Sequence, residues 1–512
     1  MNVQTEQKLL ETATHPSAPV SLRQGYDSVT GAGRSTAIIG ESEETGSTST
    51  LTCTVCTSVQ QLTRALEIDQ SLAVAYGPFG SVDQKLDFVR NLDITTTSIS
   101  IVVYCRHIAR VETLKNAQLD PNIDPPTDTK GAAKFFNAFG DSFLSSRTLG
   151  GEYCAVYTFY ANDSEQQTNI KASLQASGIY SGVSIDANFQ AHFDEVVKTS
   201  TTRTDFSQSV SGIENPSLPK VENIVDFAIK FTSVRLDMQA VIDFGMMGYE
   251  NVAGLQAMKA LVANRAYFNG DSYRPGLASK LADLVTLRNK ITDLAGTYAV
   301  YGATLDPKLS SVQSQVQNDI NAISNQIAGW EDDPTQTFPV LPLDSLKNGT
   351  PSLSVSVNTF GPYGGDGGGA FDDILPNALE FVSSRTHLTS VTLHGGRYVD
   401  ALITSYQCEG QKWSYQRGGA GGGDAGTLAI SPSNPVYAVS GRSGRYVDHL
   451  TLSATSVTLS AGGSGGSDFP NAGHIPANNF LLGFRGRSGR YLDQISIVYA
   501  GFNPVVWQPM MI

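Results

Sequence analysis

The amino-acid sequence predicts two successive folds, an α+β region over about 26–345 and an all-β region with pseudo-threefold symmetry over about 359–505. Strand-like and helix-like segments follow one another in the first region, whereas a repeated pattern of Gly-rich loops and short strands fills the second. Residues 1–25 and 506–512 are predicted to be tails, and 346–358 a linker.

The composition restricts the classes of function. The 512 residues include 48 acidic and 35 basic residues, a formal net charge of -13. Because phosphate neutralisation needs surplus Lys and Arg, this charge argues against nonspecific nucleic-acid binding. The five cysteines are too few and scattered for a disulfide framework, and Cys53 and Cys56 lack a second pair or a nearby His to complete a zinc site. We therefore expect no metal and no cofactor.

The beginning of the chain bears on localisation. It lacks the basic and apolar regions of a signal peptide, so we expect a secreted protein released by a nonclassical route or by lysis. Nowhere does the sequence approach the roughly 18 uninterrupted apolar residues of a transmembrane helix. Any membrane entry would therefore use amphipathic segments.

In the first region, alternating apolar and polar residues predict four strands. They begin near Leu51 and recur at 98–105, 152–159 and 223–231. The long intervals between them must contain structure of their own. Two apolar stripes at helical spacing then predict a helical hairpin, formed by Leu277, Leu281, Leu284, Ile291 and Leu294 and by Val312, Val316, Ile320, Ile323 and Ile327.

The second region contains an internal repeat. Gly-rich segments at 364–369, 418–424 and 462–468 open three units. Each unit contains a Gly-Arg-Tyr-Val/Leu-Asp marker, and the marker tyrosines are 48 and 45 residues apart. These intervals suffice for one four-stranded sheet per unit, which predicts three sheets arranged as a triangular β-prism.

The runs 440–450 and 483–495 resemble the closing motif of jacalin-like lectins. The resemblance implies that a Gly-rich loop and a G-x-x-x-D loop together hold a sugar. A carboxylate can accept two sugar hydroxyl hydrogen bonds, glycines permit close backbone approach, and a Tyr ring can cover an apolar sugar face. The candidate carbohydrate-binding residues are Gly396, Tyr398, Asp400, Gly444, Tyr446, Asp448, Gly489, Tyr491 and Asp493.

The alternative for these residues is structural. Repeated glycines suit tight turns, and repeated Tyr and Asp suit packing and loop capping. The first unit departs most from the motif, because 393–396 replaces the Gly-Arg-Ser-Gly lead-in of the other two.

The segment 139–151 resembles the signature of the membrane-attack-complex/perforin (MACPF) superfamily. The matching residues are Phe139, Gly140, Phe143, Gly150 and Gly151, whereas Asp141 and Ser142 stand where Thr and His are usual. The resemblance implies a MACPF-like bent antiparallel sheet flanked by helical clusters, which unfold into transmembrane β-hairpins after oligomerisation. A simple β-bulge would use the Gly-Gly pair equally well.

Residues 183–193 are the candidate membrane-inserting segment. Six apolar residues alternate with polar ones over 11 residues, about the length of a tilted transmembrane strand: Val183, Ile185, Ala187, Phe189, Ala191 and Phe193. Ile185, Phe189 and Phe193 also form a helical stripe, so the segment suits a helix in water and a strand in lipid. An ordinary amphipathic strand or surface helix remains the alternative. The partner strand at 198–211 is polar, and the insertion at 57–91 shows no clean alternation.

The sequence contains no catalytic motif, and we expect no enzyme. Two hypotheses follow. The first is a pore-forming toxin, monomeric in solution, that binds a surface glycan or glycosylated receptor and assembles as a homo-oligomeric ring on the target-cell membrane. Its two regions together resemble bacterial MACPF proteins with a C-terminal β-prism, some of them insecticidal. The second is a non-lytic soluble lectin or adhesin.

Overall fold

The structure is a computed structural model that describes residues 21–68, 84–200, 202–214, 216–271, 273–375, 377–408 and 410–510. An N-terminal α+β region precedes a C-terminal all-β region, as the sequence predicts.

Two long antiparallel strands form the centre of the N-terminal sheet. They are β5 (Ser98–Leu119) and β6 (Ser142–Tyr160), and each has two shorter strands along its outer edge. The remaining strands of this sheet are β1 (Gly25–Tyr26), β2 (Gly33–Arg34), β3 (Ile38–Thr45), β4 (Thr48–Cys56), β7 (Thr204–Ser211) and β8 (Ala240–Gly248). The predicted strands near Leu51, at 98–105 and at 152–159 lie in β4, β5 and β6.

The predicted strand at 223–231 is wrong, because this segment forms helix α6 (Ile224–Phe231). Its buried residues are Ile224, Val225, Ala228 and Phe231, which share one helical face. Over so few residues, the apolar pattern fits both the helical period and the strand period. The strands on the outer edge of β6 are β7 and β8, which the sequence did not predict as members of this sheet.

At Gly150 and Gly151 the outer neighbour of β6 changes. Strand β8 pairs with β6 up to Gly150, and β7 pairs from Glu152 onward. Opposite this point the register with β5 shifts between Ile108 and Arg110. A Cβ at Gly151 would lie 2.8 Å from the carbonyl oxygen of Ser211. The absence of side chains at Gly150 and Gly151 therefore permits a β-bulge and a close backbone approach, as the Gly-Gly sequence suggests.

The N-terminal helices lie on both faces of the sheet. Helices α8 (Leu277–Val300) and α9 (Pro307–Asp332) form the predicted hairpin, and both predicted apolar stripes are buried. The other helices are α1 (Val59–Ala65), α2 (Gln84–Asn91), α3 (Thr129–Phe139), α4 (Ser164–Ala176), α5 (Ala187–Thr199) and α7 (Val262–Asn269). Within the described ranges, no helix has both the length and the apolar character needed to span a membrane.

Alternate residues of β5 enter two separate cores. Val102 and Tyr104 pack with α1, α2 and the helical hairpin. Ile101 and Val103 point to the opposite face, where they pack with α4, α5 and α6. The central sheet is thus covered by helices on both sides.

The C-terminal region consists of three four-stranded antiparallel sheets around one apolar core. The sheet orders are β14-β13-β12-β15, β18-β17-β16-β19 and β10-β21-β20-β11. The strands are β10 (Val355–Gly364), β11 (Gly369–Asp372), β12 (His387–Gly395), β13 (Val399–Cys408), β14 (Gln411–Gly418), β15 (Gly423–Ala429), β16 (Val436–Ser443), β17 (Val447–Ala454), β18 (Thr458–Gly462), β19 (Ser467–Asp468), β20 (Asn479–Ser488) and β21 (Leu492–Phe502). A short helix, α10 (Ala378–Ser383), precedes β12.

Two predicted boundaries need correction. Strand β10 begins at Val355, inside the range predicted as linker. Strand β22 (Val506–Gln508), in the predicted C-terminal tail, pairs with β9 (Thr350–Ser352). Both segments gain backbone hydrogen bonds by joining strands distant in sequence, which local composition does not show.

Candidate carbohydrate-binding sites

Each sheet of the prism places one aspartate beside one Gly-rich loop. Asp400, Asp448 and Asp493 are the second residues of β13, β17 and β21. Their carbonyl oxygens accept hydrogen bonds of 2.8–3.0 Å from backbone amides at the start of the loops. We call these places site 1 (Asp400 with loop 418–422), site 2 (Asp448 with loop 462–466) and site 3 (Asp493 with loop 364–368).

This pairing differs from the order of the repeats in the sequence. The sequence units group loop 364–369 with Asp400, whereas in the structure this loop contacts Asp493. The reason is that β10 and β11 pair with β21 and β20, so the two ends of the region close the third sheet.

The loop glycines lie directly against the carboxylates. Gly368, Gly422 and Gly466 have φ angles of 64°, 73° and 66°. A Cβ at any of these positions would lie 2.5–2.6 Å from an aspartate Oδ2 atom. Any larger residue would therefore be strained and would clash with the carboxylate.

The three site aspartates are buried, and two of them have an unpartnered carboxylate oxygen among the described residues. Asp400, Asp448 and Asp493 are only 6–7% exposed. The Oδ2 atoms of Asp448 and Asp493 are inaccessible and have no partner among the described residues. A buried carboxylate without donors costs free energy, and ligand hydroxyl groups could supply those donors.

Two arginines, missed by the sequence prediction, hold the loops of sites 2 and 3. Arg442 donates to the carbonyl oxygens of Gly465 (2.9 Å) and Gly466 (2.7 Å). Arg487 donates to the corresponding carbonyls of loop 364–368 at 3.0 and 2.8 Å. Both arginines lie six residues before the site aspartate, where site 1 has His394. Because the first repeat has His394 in place of this arginine, site 1 lacks the arginine contact to its loop.

The marker tyrosines converge on the prism axis. Tyr398, Tyr446 and Tyr491 contact one another, with ring centroids 5.0–5.3 Å apart. The amides of Gly396, Gly444 and Gly489 each donate to the tyrosine carbonyl two residues later at 3.0 Å. The structure therefore gathers the rings into one half-exposed platform, rather than placing one ring over each site.

Comparison with known proteins identifies this region. Residues 360–498 match the family model for the Jacalin-like lectin domain. The C-terminal region is a jacalin-like lectin domain. None of the curated proteins matches the chain.

Among solved structures, this chain is similar to several lectins. Malaysian banana lectin is 24% identical, with a TM-score of 0.24, over 28% of this chain and 98% of that one. AcmJRL, a mannose-binding jacalin-related lectin from Ananas comosus, is 25% identical, with a TM-score of 0.24, over 28% and 96%. Calsepa lectin in complex with a biantennary N-glycan is 21% identical, with a TM-score of 0.22, over 29% and 97%.

Outside the lectin domain, the signature residues of 139–151 connect α3 to β6. Phe139 ends α3, Gly140 follows with a φ of 83°, and the buried ring of Phe143 lies 5.2 Å from that of Tyr249. Asp141 accepts hydrogen bonds from the amide (2.7 Å) and hydroxyl (2.6 Å) of Ser28. Burial raises the pKa of this carboxyl above its ordinary value.

The candidate membrane-inserting segment is only partly helical. Helix α5 begins at Ala187, and Asp186 caps it by accepting from the amide of Phe189 at 3.0 Å. Val183 and Ile185 therefore precede the helix. The predicted helical stripe of Ile185, Phe189 and Phe193 is wrong at Ile185, and only Phe189 and Phe193 lie in the helix. Phe189 and Phe193 are buried in the core beneath the sheet, while Ala191 is exposed.

The two other hairpin predictions have different outcomes. Of the polar partner segment 198–211, residues 204–211 already form β7 in the soluble fold. In the insertion 57–91, helices α1 and α2 occupy the two ends, and residues 69–83 lie outside the described residues.

Proposed function

We propose that this protein is a pore-forming toxin that binds a cell-surface glycan through its jacalin-like domain, assembles into a ring and inserts β-hairpins into the target membrane. The proposal extends to release outside the producing cell. Its resemblance to insecticidal MACPF proteins makes insect gut membrane a rational first target.

One observation supports insertion above all others. Strand pairs β4–β5 and β6–β7 reach the same end of the sheet, at Cys56 opposite Ser100 and Phe159 opposite Thr204. The intervening segments 57–97 and 161–203 each connect two adjacent antiparallel strands. Straightening either segment would therefore extend an existing strand pair as a hairpin.

The length of these segments is sufficient. Each half of 161–203 contains about 20 residues, whereas a tilted transmembrane strand needs about 9–11. A single hairpin in lipid would leave backbone groups unpaired at both edges, so insertion requires neighbouring copies. Homo-oligomer formation is thus part of the proposal.

The lectin domain supports the first step. Three carboxylate sites on one prism would engage a clustered glycan with higher avidity than one site. The buried state of Phe189 and Phe193 also suits a permanently folded scaffold, which is the basis of the alternative, a non-lytic lectin or adhesin.

A pair of lysine substitutions on α5 separates these functions. Ala191 and Asn188 are both exposed in the helix, so neither A191K nor N188K should disturb the soluble fold. In an inserted strand, residue 191 shares the lipid-facing set with Phe189 and Phe193, whereas residue 188 points to the opposite side. A lysine in the lipid costs about 2–4 kcal/mol near the bilayer centre.

We expect A191K to suppress dye release from susceptible membrane vesicles while N188K retains it. Glycan binding should stay equal in both variants. Equal dye release by the two variants would rule out insertion of this segment. Absence of release by the unmodified protein from every glycan-bearing membrane that it binds would favour the non-lytic lectin.

A further inference from the structure

Three arginines surround the tyrosine platform of the prism. Arg397, Arg445 and Arg490 each stand directly before one of the platform tyrosines. Each guanidinium carbon lies 5.5–5.7 Å from the centroid of that following ring. Since the rings also contact one another, the three cations share one end of the prism.

These arginines are exposed. Among the residues that the structure describes, none of the three guanidinium groups forms a hydrogen bond or an ion pair, although each contacts a ring. The other arginines of the domain have carboxylate or carbonyl acceptors: Arg385, Arg417, Arg442, Arg485 and Arg487. A net charge of -13 makes three unpaired cations at one place notable.

Each arginine lies between two carboxylate sites. A Cβ added to the second glycine of each loop would lie 2.6–2.7 Å from the carbonyl oxygen of the arginine in a neighbouring repeat. Arg397 therefore flanks sites 1 and 2, Arg445 flanks sites 2 and 3, and Arg490 flanks sites 3 and 1. Every site has two arginines at its border.

We propose that this end of the prism selects acidic glycans. Carboxylate or sulfate groups of the sugar bind Arg397, Arg445 and Arg490, while hydroxyl groups bind the carboxylate sites. This inference rests on the glycan binding proposed above. Guanidinium groups pair with such anions through two parallel hydrogen bonds, and the arginines offset the repulsion that the three aspartates exert on an acidic sugar.

The Gly-rich loop of site 3 contains a charge that the other two loops lack. Loop 364–368 contains Asp366, which is exposed, where the other loops have Ala420 and Ser464. Its carboxylate borders site 3 and opposes anion binding there. Because Arg397 is the arginine that does not flank site 3, we expect it to contribute most to acidic-glycan binding.

The experiment measures binding of the full chain to one branched N-glycan before and after removal of its terminal sialic acids, and to a sulfated and desulfated oligosaccharide. We expect the acidic forms to bind about tenfold more tightly, with a preference that weakens as salt rises. R397A should abolish most of the preference, measured as the ratio of the affinities for acidic and neutral forms, and D366A should increase this ratio.

K412A is the matched control, since exposed Lys412 lies near the opposite end of β13 from Asp400. It removes the same charge and should leave the preference intact. Equal binding of acidic and neutral forms, or an equal effect of K412A, would overturn the inference while leaving glycan binding in place. Arginine-dependent binding to phosphatidylserine vesicles without any acidic-glycan preference would also overturn it, in favour of a lipid surface. Failure of all glycans to bind would instead refute the proposed lectin function.

Discussion

Tyr301, directly after helix α8, stacks on Phe480 of the lectin domain with ring centroids 4.2 Å apart. One turn earlier, Tyr298 stacks on Phe502 at 4.0 Å. Arg385 adds an ion pair of 2.6 Å with Asp293 of the same helix. Aromatic packing and a charged contact thus attach the lectin domain to the helical hairpin.

The first prediction concerns this attachment. Replacing Tyr301 by Ala removes its stacked ring and the hydrogen bond that its hydroxyl donates to the carbonyl of Thr386. Loss of a fully buried aromatic ring costs about 3–5 kcal/mol, and loss of the half-buried ring of Tyr301 should cost less. We expect Y301A to separate the unfolding of the two regions into two calorimetric transitions, whereas Y301F, which keeps the ring, should lose only about 1 kcal/mol. A single unshifted transition in Y301A would contradict the coupling.

The second prediction concerns the buried ammonium of Lys290 in α8. It donates to the carbonyl oxygens of Ala161 (2.8 Å) and Asn162 (2.9 Å), where the chain leaves β6. Burial lowers its pKa to about 8. At a pH between this lowered pKa and the ordinary lysine pKa, Lys290 has released its proton in the folded protein but keeps it in the unfolded chain. The unfolded state then binds more protons, so Lys290 makes the free energy of unfolding rise with pH.

We therefore expect the free energy of unfolding of the wild type to rise relative to that of K290M between about pH 8 and pH 10. The comparison matters because buried tyrosines and cysteines titrate in the same range with the opposite effect. Urea unfolding of both proteins at several pH values measures it. A constant difference across this range would show that Lys290 is not perturbed.

The third prediction concerns the arginines that hold the loops. In a background with D400N and D493N, where site 2 alone keeps its carboxylate, R442K should weaken glycan binding several-fold. Lysine has a single donor group and cannot reproduce the two loop contacts and the ion pair to Asp468. Calorimetric titration with the same glycan measures this affinity.

The reverse change tests site 1. In a background with D448N and D493N, H394R should strengthen glycan binding at site 1. Unchanged affinity in both R442K and H394R would argue against a role for the loop contact.

The prism could be predicted because its evidence is repeated three times in the sequence. The pairing of loop 364–368 with Asp493 could not, since it depends on closure of a sheet by strands from both ends of the region. Arg442 and Arg487 were missed for a related reason. An arginine near the end of a strand is expected in solvent until the acceptor carbonyls are located.

In the N-terminal region, long strands were easier to predict than short amphipathic segments. Residues 98–105 and 152–159 are buried on both faces and therefore have strong apolar runs. Residues 223–231 are short, and their apolar pattern fits a helix as well as a strand. The start of α5 depends on the Asp186 cap, which an alternation count does not consider.

The last prediction tests whether the site carboxylates exist for binding. Asp448 is buried and its Oδ2 has no hydrogen-bond partner in the described part of the chain, whereas Asp373, equally buried, accepts from Arg417 (2.6 Å) and Thr404 (3.1 Å). D448A should therefore raise the free energy of unfolding by about 1 kcal/mol, because it removes a buried carboxylate oxygen that has no donor. D373A should lower it by about 3–5 kcal/mol, because Arg417 loses its buried partner.

Thermal unfolding and glycan titration of both variants measure this difference. D448A should lose binding at site 2 while folding normally, a separation expected when a residue is retained for a ligand at a cost in stability. If D448A were destabilised as strongly as D373A, the carboxylate would instead have a structural role, as in the loop-capping alternative. The same comparison with D493A repeats the test at site 3, where Oδ2 also lacks a partner.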